Sequence, residues 1–463
     1  MRYLPHTQDE IRSMLAAIGV PSIDTLFDVI PKDVRLGRPL AIEPSLDEAR
    51  LMDHLTVLAE KNTATRALSF IGGGIYDHHV PPAVDQLLLR SEFYTAYTPY
   101  QAEVAQGTLQ AIFEFQTIVS ELFGMPVANA SMYDGASAAA EAVLMARRLT
   151  RRTHALVSAG VHPEYTETIR TYVRGLPKGT EAIETIPLGK DGTVDLAALE
   201  TALKKSEDVA CVVIGYPNFF GCVQDVKAIA ALAHAHGALL VTATAEPYAM
   251  ALLEPPGALG ADIAVGEGQA LGLSPQNGGP GCGLFACRDA REFLQNVPGR
   301  LCGETVDKNG ERGYVLTLST REQHIRRDRA TSNICTNHAL CALAITIRAC
   351  LLGKQGFIEV AKHCLAKSEH LKKALVGTGA WELPYTAPTF NEFVVRSTRG
   401  PVAPLVAKLA SEKAILAGID LSRFDKTRDR DLLVCVTERH SRADLDRLAS
   451  VLGAPARGAS APG

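Results

Sequence analysis

The chain has 463 residues, enough for about three domains and a large buried core. Its 47 lysines and arginines stand against 51 aspartates and glutamates, a formal charge of −4. That balance argues against a general nucleic-acid binder, which usually carries a basic excess. Hydrophobic residues at 47% and charged residues at 21% are typical of a folded globular protein and exclude wholesale disorder.

The ends and the cysteines of the chain bear on its compartment. The first residues lack the apolar core of a secretory signal. The most apolar stretch, residues 339–352, is too short to span a bilayer and contains Arg348. All ten cysteines follow residue 210, and none forms a C-x-x-C pair or a zinc-ligand spacing. We therefore expect a cytoplasmic protein with free thiols, no membrane contact and no metal site.

An N-terminal helical arm is predicted over residues 1–65. Thr7 and Glu10 form a capping-box pattern, in which the two side chains satisfy free N–H groups at the start of a helix. Gly19 marks the end of that helix. Ser45 and Glu48 repeat the capping-box pattern before a second helix.

From residue 66 onward, short apolar runs alternate with helical patterns. Strands are predicted at residues 155–158, 210–214, 238–241 and 283–286, and a helix at residues 226–236. Uninterrupted apolar strands between helices indicate a parallel sheet covered on both faces. We therefore predict a large three-layer α/β domain over residues 66–330.

A smaller C-terminal α+β domain is predicted over residues 331–453. Helices are predicted at residues 337–352, 358–376, 402–416 and 442–452, and strands at residues 392–396 and 432–437. Gly353 is expected to end the first of these helices. The tail, residues 454–463, contains only Ala, Pro, Gly and Ser besides one Arg and is predicted to be disordered.

Two segments carry polar groups suited to a pocket. Tyr94, Tyr97 and Tyr100, followed by Gln101, combine ring area with directional hydroxyl groups. An ordinary buried aromatic loop has the same composition. The segment of residues 326–333 joins basic residues to Thr331, Ser332 and Asn333, which suits an anion or another subunit. Solvated basic residues before a helix are the alternative.

A third segment could hold an anion. Gly135 and Ser137 lie at the start of a predicted helix with Asp134 as N-cap, where free N–H groups can bind a phosphate. A plain alanine-rich helix start has the same pattern. His78 and His79 are adjacent and would point apart, so they do not predict a metal site.

Four strings together resemble one known family. They are residues 94–101, 129–131, 320–327 and 330–336. They are similar to strings of the glycine-cleavage P-protein, a glycine decarboxylase, and in particular to the first subunit of its two-chain bacterial form. The likeness runs from the arm to about residue 450. It implies the fold type I architecture of pyridoxal-phosphate (PLP) transferases, like that of aspartate aminotransferase, which agrees with the α/β pattern.

An enzyme of this fold needs a lysine to hold PLP. The resemblance places Gln269 at the position of that lysine, before the glycine-rich turn of residues 277–281, and no lysine occurs from residue 228 to residue 307. A glutamine amide cannot form an imine with an aldehyde. The flanking Lys227 and Lys308 are expected to face water. The first acid after Val241, where the fold has an aspartate for the pyridine nitrogen, is Glu246.

The first subunit of the family also lacks the lysine, so the resemblance implies an α2β2 heterotetramer in which subunit 2 (β) binds PLP covalently. The implied reaction decarboxylates glycine and transfers the aminomethyl group to the lipoyl arm of H-protein. The candidate catalytic residues, as one wall of a shared site, are Tyr94, Tyr97, Tyr100, Gln101, Thr331, Ser332 and Asn333. Gly135 and Ser137 would keep a vestigial phosphate cup.

Two other functions stay open at this point. The chain could be a complete PLP-dependent lyase or transferase that uses an unexpected lysine. It could also be a non-catalytic scaffold that only stabilises its partner.

Overall fold

A computed structural model describes residues 5–95, 97–276, 278–317, 323–334 and 336–454. It divides the chain into two compact units, residues 1–63 and residues 64–463. Apart from Ala454, the predicted disordered tail lies outside the described residues.

The first unit contains helices α1 (Gln8–Ile18) and α2 (Glu48–Glu60). The capping box at α1 is confirmed, because the Glu10 N–H donates to Thr7 Oγ1 and the Thr7 N–H donates to the Glu10 carboxylate. Gly19 ends α1 at φ +80°. The second predicted capping box is wrong. Asp47 is the N-cap of α2, since its carboxylate lies three residues before the free Arg50 N–H and accepts from it at 2.9 Å.

The second unit holds the remaining elements. Its helices are α3 (Pro82–Leu88), α4 (Ser91–Tyr94), α5 (Gln106–Phe123), α6 (Gly135–Thr150), α7 (Pro163–Val173), α8 (Leu196–Lys205), α9 (Val226–Ala235), α10 (Arg291–Asn296), α11 (Gln323–Arg326), α12 (Ala339–Gly377), α13 (Ala403–Lys413) and α14 (Arg442–Gly453). Its strands are β1 (Leu68–Ser69), β2 (Val127–Ala128), β3 (His154–Ser158), β4 (Ile183–Ile186), β5 (Val209–Gly215), β6 (Leu239–Thr244), β7 (Ile263–Glu267), β8 (Gly283–Cys287), β9 (Leu301–Val306), β10 (Arg312–Thr317), β11 (Trp381–Glu382), β12 (Glu392–Ser397), β13 (Ile415–Leu416), β14 (Ile419–Asp420) and β15 (Asp431–Cys435).

A seven-stranded sheet lies at the centre of this unit, in the order β2-β8-β7-β6-β5-β3-β4. Strands β3 to β7 run parallel to one another, while β8 runs antiparallel to β7 and β2. The four strands predicted from apolar runs are confirmed as β3, β5, β6 and β8. Strand β7 escaped prediction because Gly266 interrupts its short apolar run and Glu267 ends it.

The alternation of side chains along the strands creates two cores, one on each face of the sheet. Val212 and Ile214 of β5 pack with residues of α5, α8 and α9. Cys211 and Val213 of the same strand pack with residues of α6 and α7. Because successive side chains of a strand point to opposite faces, this pattern makes the predicted three-layer α/β architecture.

A second, antiparallel sheet has the order β11-β12-β15-β14, and its side chains pack with α12, α13 and α14. The predicted helix at 402–416 ends at Lys413, and the chain then forms β13. Strand β13 pairs in parallel with β1, so the start of the second unit contacts its C-terminal part. The domain boundary at residue 330 stays a prediction.

Helix α12 is broken at Gly353, where φ is +60° and ψ is 176°, as predicted. By length and composition alone, α12 is the one described helix that could cross a membrane. However, Arg348 is only 2% exposed and donates to the Tyr248 hydroxyl, and Ile345 and Leu371 on either side of the break are fully buried. These contacts are those of a core helix.

Replacing Gly353 tests the break in α12. Gly353→Ala should lower the free energy of unfolding by about 1–3 kcal/mol, because φ +60° with ψ near 180° is essentially restricted to glycine. No atom lies within 4 Å of the added Cβ, so backbone strain is the whole effect. Urea unfolding of the full chain measures it.

Gly377→Ala is the matched control, since its Cβ also meets nothing within 4 Å but its backbone is helical. It should leave stability equal or raise it by up to about 1 kcal/mol. Equal stability of the two variants would contradict the break at Gly353.

Candidate active site

Three polar residues meet at one edge of the central sheet. His162 follows β3, Glu246 follows β6 and Gln269 follows β7. These strands are parallel, so their carboxyl ends lie on the same side, where α/β folds bind ligands. Helix α6 begins at the same place, because its first N–H, that of Gly135, donates to the Glu267 carboxylate at the end of β7. We call this region the carboxyl edge.

The Glu267 carboxylate fills the start of α6. It accepts hydrogen bonds from the backbone N–H groups of Gly135, Gln269 and Cys282, each at 2.9 Å. Its side chain is 8% exposed. Burial raises the pKa of Glu267, while the three N–H donors oppose that shift. The predicted phosphate cup therefore already has an anion of the protein beside the Gly135 amide.

Ser137, the other residue of the predicted phosphate cup, also forms hydrogen bonds within the chain. The Ser137 N–H donates to Asp134 Oδ1 at 2.7 Å, and the Ser137 hydroxyl donates to the Asp134 carbonyl at 3.0 Å. Asp134 is thus the N-cap of α6, as predicted.

Gln269 is bonded to a loop that covers the carboxyl edge. Its Oε1 accepts from the Tyr76 N–H at 2.9 Å, and its Nε2 donates to the Tyr76 carbonyl at 3.1 Å and to the Leu273 carbonyl at 2.6 Å. Gln269 is 6% exposed. The amide therefore acts as a clamp on residues 72–78, which we call the glycine loop.

Glu392 of β12 holds the same loop from the other side. It accepts from the Tyr76 hydroxyl at 2.8 Å and from the Gly73 N–H. Burial raises the pKa of Glu392 to about 7, although these two donors oppose the shift. Tyr76 itself is 2% exposed, so its side chain is part of the core.

His78, at the end of the glycine loop, lies between two carboxylates. Its Nε2 is 2.8 Å from Glu246 Oε2 and its Nδ1 is 2.6 Å from Glu438 Oε2. Burial disfavours the charged ring, but the two carboxylates outweigh it and raise the pKa of His78 to about 9. Burial of Glu438 raises its pKa, but the contact with His78 outweighs burial and lowers the pKa of Glu438 to about 2. His78 is therefore an imidazolium at neutral pH, and Glu246 is its partner.

His162 is neutral by its hydrogen bonds. The Glu164 N–H donates to His162 Nδ1 at 3.1 Å, so the ring proton is on Nε2, which donates to the Gly73 carbonyl at 2.7 Å. Burial lowers the pKa of His162. A cavity of about 310 Å³ remains beside this ring, and its lining includes Ala136, Glu267 and Gln269 but no lysine among the described residues.

The predicted wall residues lie in two other places. Tyr94, Tyr97 and Tyr100 are 57%, 71% and 76% exposed, and Gln101 is exposed too. Thr331, Ser332 and Asn333 line a separate groove of about 700 Å³ along the second half of α6. The two cavities share no lining residue, so within this chain the structure does not join the wall residues to the carboxyl edge.

The groove is held by a buried carboxylate. Glu141 of α6 is 2% exposed, and its Oε1 accepts from the Ser332 hydroxyl at 2.8 Å. Burial raises the pKa of Glu141, while Ser332 and Arg148 oppose the shift. The same Ser332 oxygen accepts from the Ile334 N–H at 3.1 Å, which fixes the turn of residues 331–334.

Some residues of the family strings lie outside the described residues. They are Ala96, residues 320–322 and Cys335, and Asn277 of the glycine-rich turn also lies outside the described residues. Lys227 and Lys308 are exposed, as predicted.

Within the described residues, one group has the spacing of metal ligands. Ligand atoms of His78, Cys364 and Glu438 lie within 4.8 Å of one another. Both ring nitrogens of His78 are already bonded to carboxylates, and burial raises the pKa of the Cys364 thiol well above its usual range. A proton on His78 accounts for this cluster without a metal.

Comparison with known proteins decides the family. Residues 1–452 match the family described as "Glycine cleavage system P-protein". The probable glycine dehydrogenase (decarboxylating) subunit 1 of Sorangium cellulosum (strain So ce56) is 64% identical over 98% of this chain and 99% of that protein. The chain belongs to the glycine cleavage system P-protein family. The resemblance inferred from the sequence strings is confirmed.

Solved structures agree. A crystal structure of glycine decarboxylase (P-protein) of the glycine cleavage system, in inhibitor-bound form, is 41% identical, with a TM-score of 0.85 over 98% of this chain and 99% of that one. A sphingosine-1-phosphate lyase of Burkholderia pseudomallei K96243 is 16% identical, with a TM-score of 0.65 over 90% and 92%. The second likeness shows the fold alone. The predicted fold type I architecture is confirmed.

The carboxyl edge of this P-protein family member does not fit PLP. Gln269 cannot form the imine, and its amide is bonded to Tyr76. Glu267 places a carboxylate beside the predicted phosphate cup, and Glu246 is paired with His78. Each position predicted to hold the cofactor thus has a partner within the chain.

Sequence reasoning missed most of the glutamates and the histidine that form hydrogen bonds within the chain at the carboxyl edge and in the groove. Glu267 ends β7, Glu392 begins β12 and Glu438 follows β15, but nothing local marks any of them as a site residue. Glu141 did leave a signal, since it is the single charged residue in the apolar start of α6. His78 left none, because its two partners lie 168 and 360 residues away.

The pH dependence of stability tests the role of His78. Its pKa rises from the ordinary 6.5 to about 9 in the folded chain, so its contribution is complete below pH 6.5 and is lost as the pH rises through 9. His78→Gln should therefore cost most at and just below pH 6.5, and between neutral pH and about pH 10 the difference from the natural chain should shrink by on the order of 2–3 kcal/mol. Urea unfolding across this range measures the difference.

His54→Gln, at an exposed histidine of α2, is the control and should show no such trend. A difference between His78→Gln and the natural chain that stays constant with pH would refute the imidazolium bridge.

Proposed function

We propose that this chain is subunit 1 of a glycine decarboxylase. Together with a second subunit it releases CO2 from glycine and transfers the aminomethyl group to the lipoyl arm of H-protein. The similarity to a probable glycine dehydrogenase (decarboxylating) subunit 1 over nearly the whole of both chains carries the proposal. The cytoplasm is the proposed compartment, where the ten cysteines stay as thiols.

In this proposal PLP is bound covalently by the partner, glycine decarboxylase subunit 2. When bound there, it supplies the electron sink that decarboxylation requires. The support from this chain is the carboxyl edge, where Gln269, Glu246 and Glu267 are all bonded internally. Those bonds disfavour a self-sufficient PLP enzyme, because binding PLP would break them and still find no lysine.

This chain would contribute one wall of a shared site. The exposed side chains of Tyr94, Tyr97 and Tyr100 offer hydroxyl groups for a substrate carboxylate and rings that exclude water. Thr331 and Asn333 add polar groups from the turn that Glu141 and Ser332 hold in place. The exposure of the three tyrosines and Asn333 in the single chain supports a site that a partner completes. A partner would exclude water from these side chains, and such a step requires a site closed to water.

Gly135 and Ser137 enter only as the remnant of a phosphate cup. The geometry of α6 suits that origin, as its start still binds an anion, but the anion is Glu267. Gln269 likewise keeps the place of the lysine and serves to clamp the glycine loop.

An α2β2 heterotetramer is the proposed assembly. Among the described residues 5–63, none is buried, and α2 exposes Leu51, Met52, Leu55 and Leu58. An amphipathic helix with an exposed apolar face gains stability by burying that face against another chain. This feature supports contact of the arm with subunit 2.

Variants of the wall test the proposal in the reconstituted complex. Tyr97→Phe and Asn333→Ala should each lower glycine-dependent CO2 release by about tenfold or more, because each removes a group that positions the substrate. Assembly with subunit 2 should be unchanged, because each substitution removes only one small polar group from an exposed side chain. The assay measures kcat for the two chains together and for each chain alone.

Asn309→Ala, in the exposed turn between β9 and β10, is the matched control and should keep full activity. If both wall variants keep full activity, the wall assignment fails. If subunit 2 alone turns over glycine as fast as the complex, this chain is a scaffold and the catalytic proposal fails.

A further inference from the structure

The start of α6 is an anion-binding geometry that is already occupied. A helix of this length carries partial positive charge at its N-terminus. There the Gly135 N–H points at Glu267 Oε2, while the N–H groups of Gln269 and Cys282 both point at Oε1. Three backbone donors from three separate segments therefore converge on one side chain.

The surroundings make room for this carboxylate and for little else. A Cβ on Gly281 would lie 3.0 Å from Glu267 Oε2, and a Cβ on Gly135 would lie 3.1 Å from Glu267 Cβ and only 2.0 Å from the Tyr165 hydroxyl. A side chain at Gly281 would thus press on the carboxylate, and one at Gly135 would clash with the Tyr165 hydroxyl. The adjoining cavity of about 310 Å³ is still lined by Ala136 and the glycine loop.

The charge of Glu267 opposes a second anion. Asp134 lies close enough to raise the pKa of Glu267 further, so the site already contains one repulsive pair. A phosphate monoester would bring up to two more negative charges against both carboxylates. It would also find the Gly135 and Ser137 N–H groups taken by Glu267 and Asp134, and so lose two of the hydrogen bonds that this helix N-terminus could offer.

We infer that Glu267 is a built-in replacement for a phosphate group, and that it makes this chain exclude phosphate monoesters from its own carboxyl edge. Gln269 removes only the covalent link to an aldehyde. Glu267 also blocks the non-covalent binding of a phosphate group. Phosphate ligands therefore bind to the partner subunit and are not divided between its cleft and the similar cleft of this chain. The inference concerns this chain alone and stands or falls separately from the proposed catalytic role.

Phosphate binding by variants of the full chain tests the inference. Glu267→Ala empties the site, and inorganic phosphate should then bind and raise the melting temperature, by mass action on the folded state. The Kd of inorganic phosphate for Glu267→Ala should be at least about tenfold lower than for the natural chain. The natural chain should show no binding beyond the effect of sodium chloride at equal ionic strength. Calorimetry and thermal unfolding measure the two quantities without any catalytic assay.

Glu267→Asp is the matched control. It shortens the side chain but keeps the charge, so it should lose stability without gaining phosphate binding. A purely structural role for Glu267 would destabilise both variants alike and give no specific response to phosphate.

Phosphate binding by the natural chain as tight as by Glu267→Ala would overturn the inference, and so would the absence of a phosphate effect in Glu267→Ala. If Glu267→Ala does not fold in chloride, it is refolded in phosphate. Recovery in phosphate alone supports the inference, and no recovery in either salt overturns it.

Discussion

The paired hydrogen bonds between the Gln269 side chain and the Tyr76 backbone are the constraint on which the carboxyl edge depends. A primary amide has an acceptor oxygen and a donor nitrogen in one plane, so it can bond both the N–H and the carbonyl of one residue. A lysine has donors only and would leave the Tyr76 N–H without its acceptor. The residue at the lysine position therefore also fixes the glycine loop, which brings the Tyr76 hydroxyl to Glu392 and His78 to Glu246.

Charge matching follows from that placement. Buried carboxylates persist only where cations or N–H donors compensate them. Glu246 has His78, and Glu267 has three backbone N–H groups, so the edge is neutralised from within. The exposed polar groups among the predicted wall residues are elsewhere, at Tyr94, Tyr97 and Tyr100 and, in the groove, at Asn333. This division suits a P-protein subunit whose chemistry is completed by a partner.

The sequence predicted those parts of the fold that depend on local patterns. Continuous apolar runs located β3, β5, β6 and β8, and Gly353 marked the break in α12, because both signals are read within a few residues. Strand β7 and the N-cap Asp47 were missed where a glycine or a competing cap residue obscured the pattern. The placement of Gln269 at the lysine position, matched back from the glycine-rich turn, stays a prediction.

The contacts of the candidate site were beyond such reasoning. Gln269 and Tyr76 are 193 residues apart, and His78 and Glu438 are 360 apart. No local pattern specifies which buried polar groups will meet, since that depends on how β12 and the glycine loop pack over the sheet. No local pattern marked Glu267 as a site residue. Its role emerged from three N–H donors that the fold brings together.

The central claim is that this chain shapes a PLP-dependent site without holding PLP itself. Its most direct test is borohydride reduction of the chain incubated with PLP, alone and in complex with subunit 2, followed by peptide mapping. The account predicts a pyridoxyl label on a lysine of subunit 2 and none on this chain. A specific label on a lysine of this chain would contradict it and make a self-sufficient PLP enzyme the better description.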